Sequence, residues 1–164
     1  MDNSTLRLNL ICKGYKRKPE DPIIILDTEI GEPSYEWSLV TNQLMNYTRV
    51  CTYNRAGYSS SYSGKYPRTS DQISSELKSL LISSDELPPF LLVGHGFGAF
   101  NVRLFAVKQF NFSFVPLLSG IVFVDGDNPS TPQLMTQNGY PDYLQDHNHK
   151  TSHCDIYRSV DPVK

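Results

Sequence analysis

The sequence predicts an α/β fold, an open and mostly parallel sheet with helices on both faces. Three observations lead there. Short apolar runs alternate with segments of helical period in the order β-α-β-α-β-α-β, the pattern of a sheet wound with crossover helices. The runs at 22–27 and 121–125 are continuously apolar until their last residue and rich in β-branched side chains, as in strands covered on both faces. Finally, the apolar run 90–93 passes directly into Gly94-His95-Gly96-Phe97-Gly98 and then into a long apolar segment. That succession describes a buried strand, a turn that admits only small residues, and an immediate helix start.

Taken in order, residues 6–14 alternate, with Leu6, Leu8, Leu10 and Cys12 on one face and Arg7, Asn9 and Lys13 on the other. A period of two marks a half-exposed strand near a sheet edge. A basic turn around Lys16 and Pro19 leads to the strand ending at Asp27. A helix follows in which Trp37, Val40 and Leu44 form the apolar stripe. The next strand, 47–53, ends in Asn54-Arg55-Ala56-Gly57-Tyr58, and a Ser/Tyr/Gly-rich loop runs on to Arg68. Thr69 with Gln72 three residues later fits a capping box, and the helix after it places Ile73, Leu77, Leu80 and Leu81 inward. Pro88-Pro89 ends that helix. The segment after Gly98 is apolar nearly all round, so its helix is expected in the middle of the fold.

Residues 1–129 are therefore expected to form one core domain and 130–164 a polar tail, in which His147, His149, His153 and Cys154 show no periodicity. The spacing of that group matches no standard zinc finger, so neither a metal nor a cofactor is expected. Cys12 and Cys51 fall inside strands and read as small buried thiols. A net charge of −2 gives no electrostatic reason to expect nucleic acid. No apolar run is long enough to span a bilayer and no secretory leader is visible, so a cytoplasmic setting is expected. In open parallel sheets, sites form at the carboxyl ends of strands, where Asp27, Asn54, His95 and Asp125 sit.

Five motifs in order carry a resemblance to the α/β-hydrolase superfamily, in its serine-hydrolase branch. They are Leu26-Asp27 with Gly31 and Trp37, Tyr53 to Tyr58, Gly94-His95-Gly96-Phe97-Gly98, Asn101-Val102-Arg103-Leu104, and Val124-Asp125 with Pro129. The resemblance implies a partial α/β-hydrolase fold, its N-terminal half through the strand after the nucleophile helix. It also implies that the turn at 94–98 corresponds to a nucleophile elbow, G-x-S-x-G, whose serine position is held by Gly96. The oxyanion donors map to the N–H groups of Ile30 and Phe97, and the small residue usual in that loop maps to Glu29. The family's aspartate before Arg55 is replaced by Asn54. His95 and Asp125 become neighbours of a degenerate site, and no general-base histidine has a clear counterpart. The expectation is a truncated, catalytically inactive hydrolase-like protein that acts, if at all, as a binding or scaffold module. A weak hydrolase of small esters or amides is the alternative. The expected ligand is a small apolar molecule near Ile30, Phe97 and Phe100, or a protein partner at the sheet edge left by 121–124.

Overall fold

The structure, a computed structural model, describes residues 6–16, 18–110, 118–126 and 154–158. Its strands are β1 (Asn9–Lys13), β2 (Ile23–Asp27), β3 (Val50–Asn54), β4 (Phe90–His95), β5 (Leu118–Val124) and β6 (Cys154–Arg158). They lie in the order β1-β3-β2-β4-β5-β6. The pairs β2/β3, β2/β4 and β4/β5 are parallel, while β1 and β6 close the two ends antiparallel. The mostly parallel α/β sheet is thus as expected.

Alternation along β2 explains the layers. Ile23 and Ile25 face one core with Tyr53, Leu77, Leu81, Leu92, Val102 and Phe105. Ile24 and Leu26 face a second core with Trp37, Val50 and Val93. The first is covered by α2 (Ser70–Ser83) and α3 (Phe97–Phe110), the second by a 3-10 turn (Ser34–Trp37) that runs into α1 (Ser38–Leu44). Every residue of β2 and of β3 is buried, as the apolar composition of 22–27 requires.

Helix α2 starts as the sequence predicts. The Thr69 hydroxyl accepts the Gln72 N–H at 3.2 Å and satisfies one of the donors left open in a first helical turn. Its inner face is Ile73, Ser74, Leu77 and Leu81. Thr69→Ala is expected to lower stability by about 1 kcal/mol, measured as a shift in the urea midpoint at unchanged slope.

Several expectations need correction. Trp37 is buried as expected, but Val40 is 39 % exposed and Thr41 points inward instead. The reason is the 3-10 turn, whose three-residue period shifts the phase of the helix that follows it. Helix α3 is not enclosed on all sides: Ala99, Val102, Phe105 and Ala106 are buried while Arg103 and Val107 face solvent. Cys12 and Cys51 are not free thiols but a disulfide, because the β1/β3 register sets them directly opposite each other. The expected open edge at 121–124 is paired, since β6 lies against β5 with Val122 opposite Ile156. The segment 130–164 therefore contributes a strand and is not only a tail. His147, His149, His153 and the 129/130 boundary lie outside the described residues. Among the described residues, no helix is long and apolar enough to cross a membrane.

Candidate functional site

The chain's winding fixes where a site can form. From β2 it moves to β3 on one side, then crosses back over β2 to reach β4. Crevices in open α/β sheets open where the winding reverses, at the carboxyl ends of the strands. Here that place lies between the ends of β2 and β4, where Asp27, Thr28 and Glu29 face the turn at His95, Gly96 and Phe97.

The base of the site is a buried ion pair. Asp27 and Arg55 are 0 % and 4 % exposed, and Arg55 Nη1 donates to Asp27 Oδ1 at 2.9 Å. The Tyr53 hydroxyl donates to Asp27 Oδ2 at 2.9 Å. Arg55 also donates to the backbone carbonyls of Thr28 (2.8 Å) and Glu29 (2.6 Å), so one guanidinium fixes the loop leaving β2. Its Cζ lies 5.3 Å from the Tyr58 ring centre and 5.6 Å from that of Phe97. Burial pushes the Asp27 carboxyl above its ordinary value, with Arg55 and Tyr53 pulling the other way. For Arg55, burial works against the charge, yet Asp27 and then Tyr53 more than offset it and hold the guanidinium protonated.

Asn54 does what an aspartate in its place could do only in part. Its Oδ1 accepts the Ser34 N–H at 2.8 Å, and its Nδ2 donates to Asn9 Oδ1 at 3.1 Å. A carboxylate offers acceptors only.

Above this base stands the turn. Gly96 has φ +52°, the left-handed region that suits glycine. Its N–H donates to Val124 O at 3.1 Å, and the Ala99 N–H returns to its carbonyl at 3.1 Å. Over Gly96 lies the Glu29 side chain. A Cβ built on residue 96 would fall inside the Glu29 carboxylate. Glu29 Oε1 accepts the Phe97 N–H at 3.0 Å and the N–H of Ile30 as well. The two N–H groups that the sequence singles out are thus brought together on one oxygen, and that oxygen belongs to the chain itself.

The remaining site residues are peripheral. His95 is half-buried, its Nδ1 3.6 Å from Glu32 Oε2 and its ring edge-on to Trp37 at 6.2 Å. Asp125 follows β5 with φ +46° and faces solvent. Phe97 and Phe100 stack on each other at 6.3 Å. Three cavities lined by described residues border α2 and the loop before β4, and none of the three includes Ile30, Phe97 or Phe100. Sequence reasoning found Glu29 as a misplaced charge but missed that it bridges both donors. Its adjacency to Ile30 was the only available signal.

No family model matches the chain. It is 29% identical over 131 residues to an "AB hydrolase superfamily protein" of Gibberella zeae, covering 77% of this chain and 39% of that one. It is 31% identical over 105 residues to a "Probable transporter efuK" of Hormonema carpetanum, covering 63% of this chain and 15% of that one. The chain thus spans well under half the length of the curated relatives it matches. Among solved structures, a thermophilic esterase from Thermogutta terrifontis superposes with a TM-score of 0.65 at 16% identity, covering 87% of this chain and 53% of that one. That likeness is one of fold.

Proposed function

For a chain that carries part of the α/β-hydrolase superfamily fold, we propose a non-hydrolytic role, that of a binding or scaffold module. The observation that carries this reading is the Glu29 carboxylate, which accepts the N–H groups of Ile30 and Phe97 over the side-chain-free Gly96. An acyl-transfer site of this fold uses such N–H groups to stabilise a developing oxyanion, and a serine hydroxyl on the turn to attack. Here both parts are altered in a mutually dependent way. Glycine offers no nucleophile, and the volume a serine would need holds a carboxylate. A second negative charge forming beside that carboxylate is disfavoured by like-charge repulsion. His95, next to Glu32 and Trp37, is read as a packing residue. What such a module would take is a small apolar ligand or a protein partner.

The test is a hydrolysis assay with p-nitrophenyl acetate and butyrate on the wild-type chain and on Gly96→Ser. Both are expected to match the buffer rate, because a serine at 96 must first displace the Glu29 side chain and then has no clear general-base histidine to take its proton. Saturable hydrolysis by the wild-type chain would overturn the proposal.

A further inference from the structure

Far from the elbow, at the other end of the sheet, three metal-binding side chains converge. The Cys12 and Cys51 sulfurs and a Glu86 carboxylate oxygen all lie within 4.8 Å of one another. Cys51 is buried on β3, Cys12 is half-buried on the edge strand β1, and Glu86 is half-buried in the loop between α2 and β4. Arg49 braces the carboxylate, its Nε donating to Glu86 Oε2 at 2.7 Å and its Nη1 to the Gly14 carbonyl at 2.9 Å.

We propose that Cys12, Cys51 and Glu86 form a redox-gated zinc site, closed by the disulfide when oxidised and by zinc when reduced. The chemistry balances with a small thiol as the reductant. Two thiols give two electrons and two protons to the Cys12–Cys51 bond and leave as their own disulfide. Zinc then replaces the two thiol protons, which pass to solvent. Thiolate and carboxylate both suit zinc, and three protein ligands leave a fourth position for water.

Two features favour this ion. Register places both cysteines on one face of the sheet, directly opposed. Two sulfurs bound tetrahedrally at about 2.3 Å stand roughly 3.8 Å apart, so the sulfurs, bonded to each other in this structure, part on reduction before they hold zinc. Charge argues the same way. With both thiols ionised, three anionic donors would crowd against the single guanidinium of Arg49, an arrangement that a dication neutralises. Cys12 is half-buried where Cys51 is fully buried, so among the described residues it is the sulfur of the pair that a thiol reagent reaches more readily.

The experiment titrates zinc into the full chain, once oxidised and once reduced with a metal-compatible phosphine. Stoichiometry is read by competition with a chromophoric chelator, and folding by thermal melt. Comparing the two states of one chain cancels binding by the histidines at 147–153. The reduced chain is expected to hold one more zinc per chain than the oxidised chain, and only the reduced chain should melt higher with zinc. Cobalt in place of zinc should give a thiolate charge-transfer band that survives Cys154→Ser and disappears in Cys12→Ser. Glu86→Gln should weaken binding by at least the roughly tenfold that even an outer-shell partner contributes. Equal stoichiometry in both states overturns the proposal, as does a cobalt band that survives Cys12→Ser. So does a reduced chain that is unfolded with and without zinc, a result that needs no variant to fold.

Discussion

Arg55→Met is expected to be among the most destabilising single changes in this chain, lowering the unfolding free energy by about 3–5 kcal/mol. The magnitude follows from what remains. Asp27 is fully buried and would lose the guanidinium it pairs with, while the carbonyls of Thr28 and Glu29 would lose the donors that Arg55 supplies. An unpaired buried charge is far more costly than a missing pair. The variant Asp27→Asn/Arg55→Met should therefore be more stable than Arg55→Met alone, because asparagine removes the stranded charge. Urea unfolding of the three proteins measures the difference. A loss below about 1 kcal/mol for Arg55→Met, the range of exposed pairs, would mean that water reaches the site.

The second large effect is expected at Gly98, in the first turn of α3. A Cβ there would stand 2.6 Å from the carbonyl oxygens of both Asp27 and Thr28. These atoms are backbone, at the end of a fully buried strand, so no side chain can rotate away. Either α3 lifts from the sheet or the loop that carries Glu29 moves. Gly98→Ala should cost about 3 kcal/mol, the upper part of the overpacking range or beyond. Thermal unfolding provides the check. A variant as stable as the wild-type chain would show that helix and loop are less closely apposed than described.

Much of this arrangement could be read from residues alone, and the parts that could not share a cause. β2 announced itself through an unbroken β-branched run, and α2 through Thr69 and a helical apolar period, both local signals. The Gly94-to-Gly98 turn was legible because close approach leaves a mark in residue size. Val40 was misjudged because a 3-10 turn changes the helical phase without changing composition. The disulfide was invisible because Cys12 and Cys51 are separated by 39 positions in sequence and meet only through strand register. β6 was missed because the residues around it carry no apolar alternation. Glu29 was recognised as a charge in an unsuited place. Its bridge between Ile30 and Phe97 needs the end of β2 and the start of α3 in one frame.

That bridge has a consequence for any molecule that would use the same two donors. Glu29 is joined covalently to Ile30, so its carboxylate is presented to the N–H pair at a high effective concentration. Short tethers typically correspond to millimolar or more. A free carboxylate reaching this spot competes with a neighbour that never diffuses away, and trace amounts of such compounds leave the site as it is. Occupancy here is written into the chain, and only a ligand with further contacts elsewhere on the protein gains enough affinity to displace it.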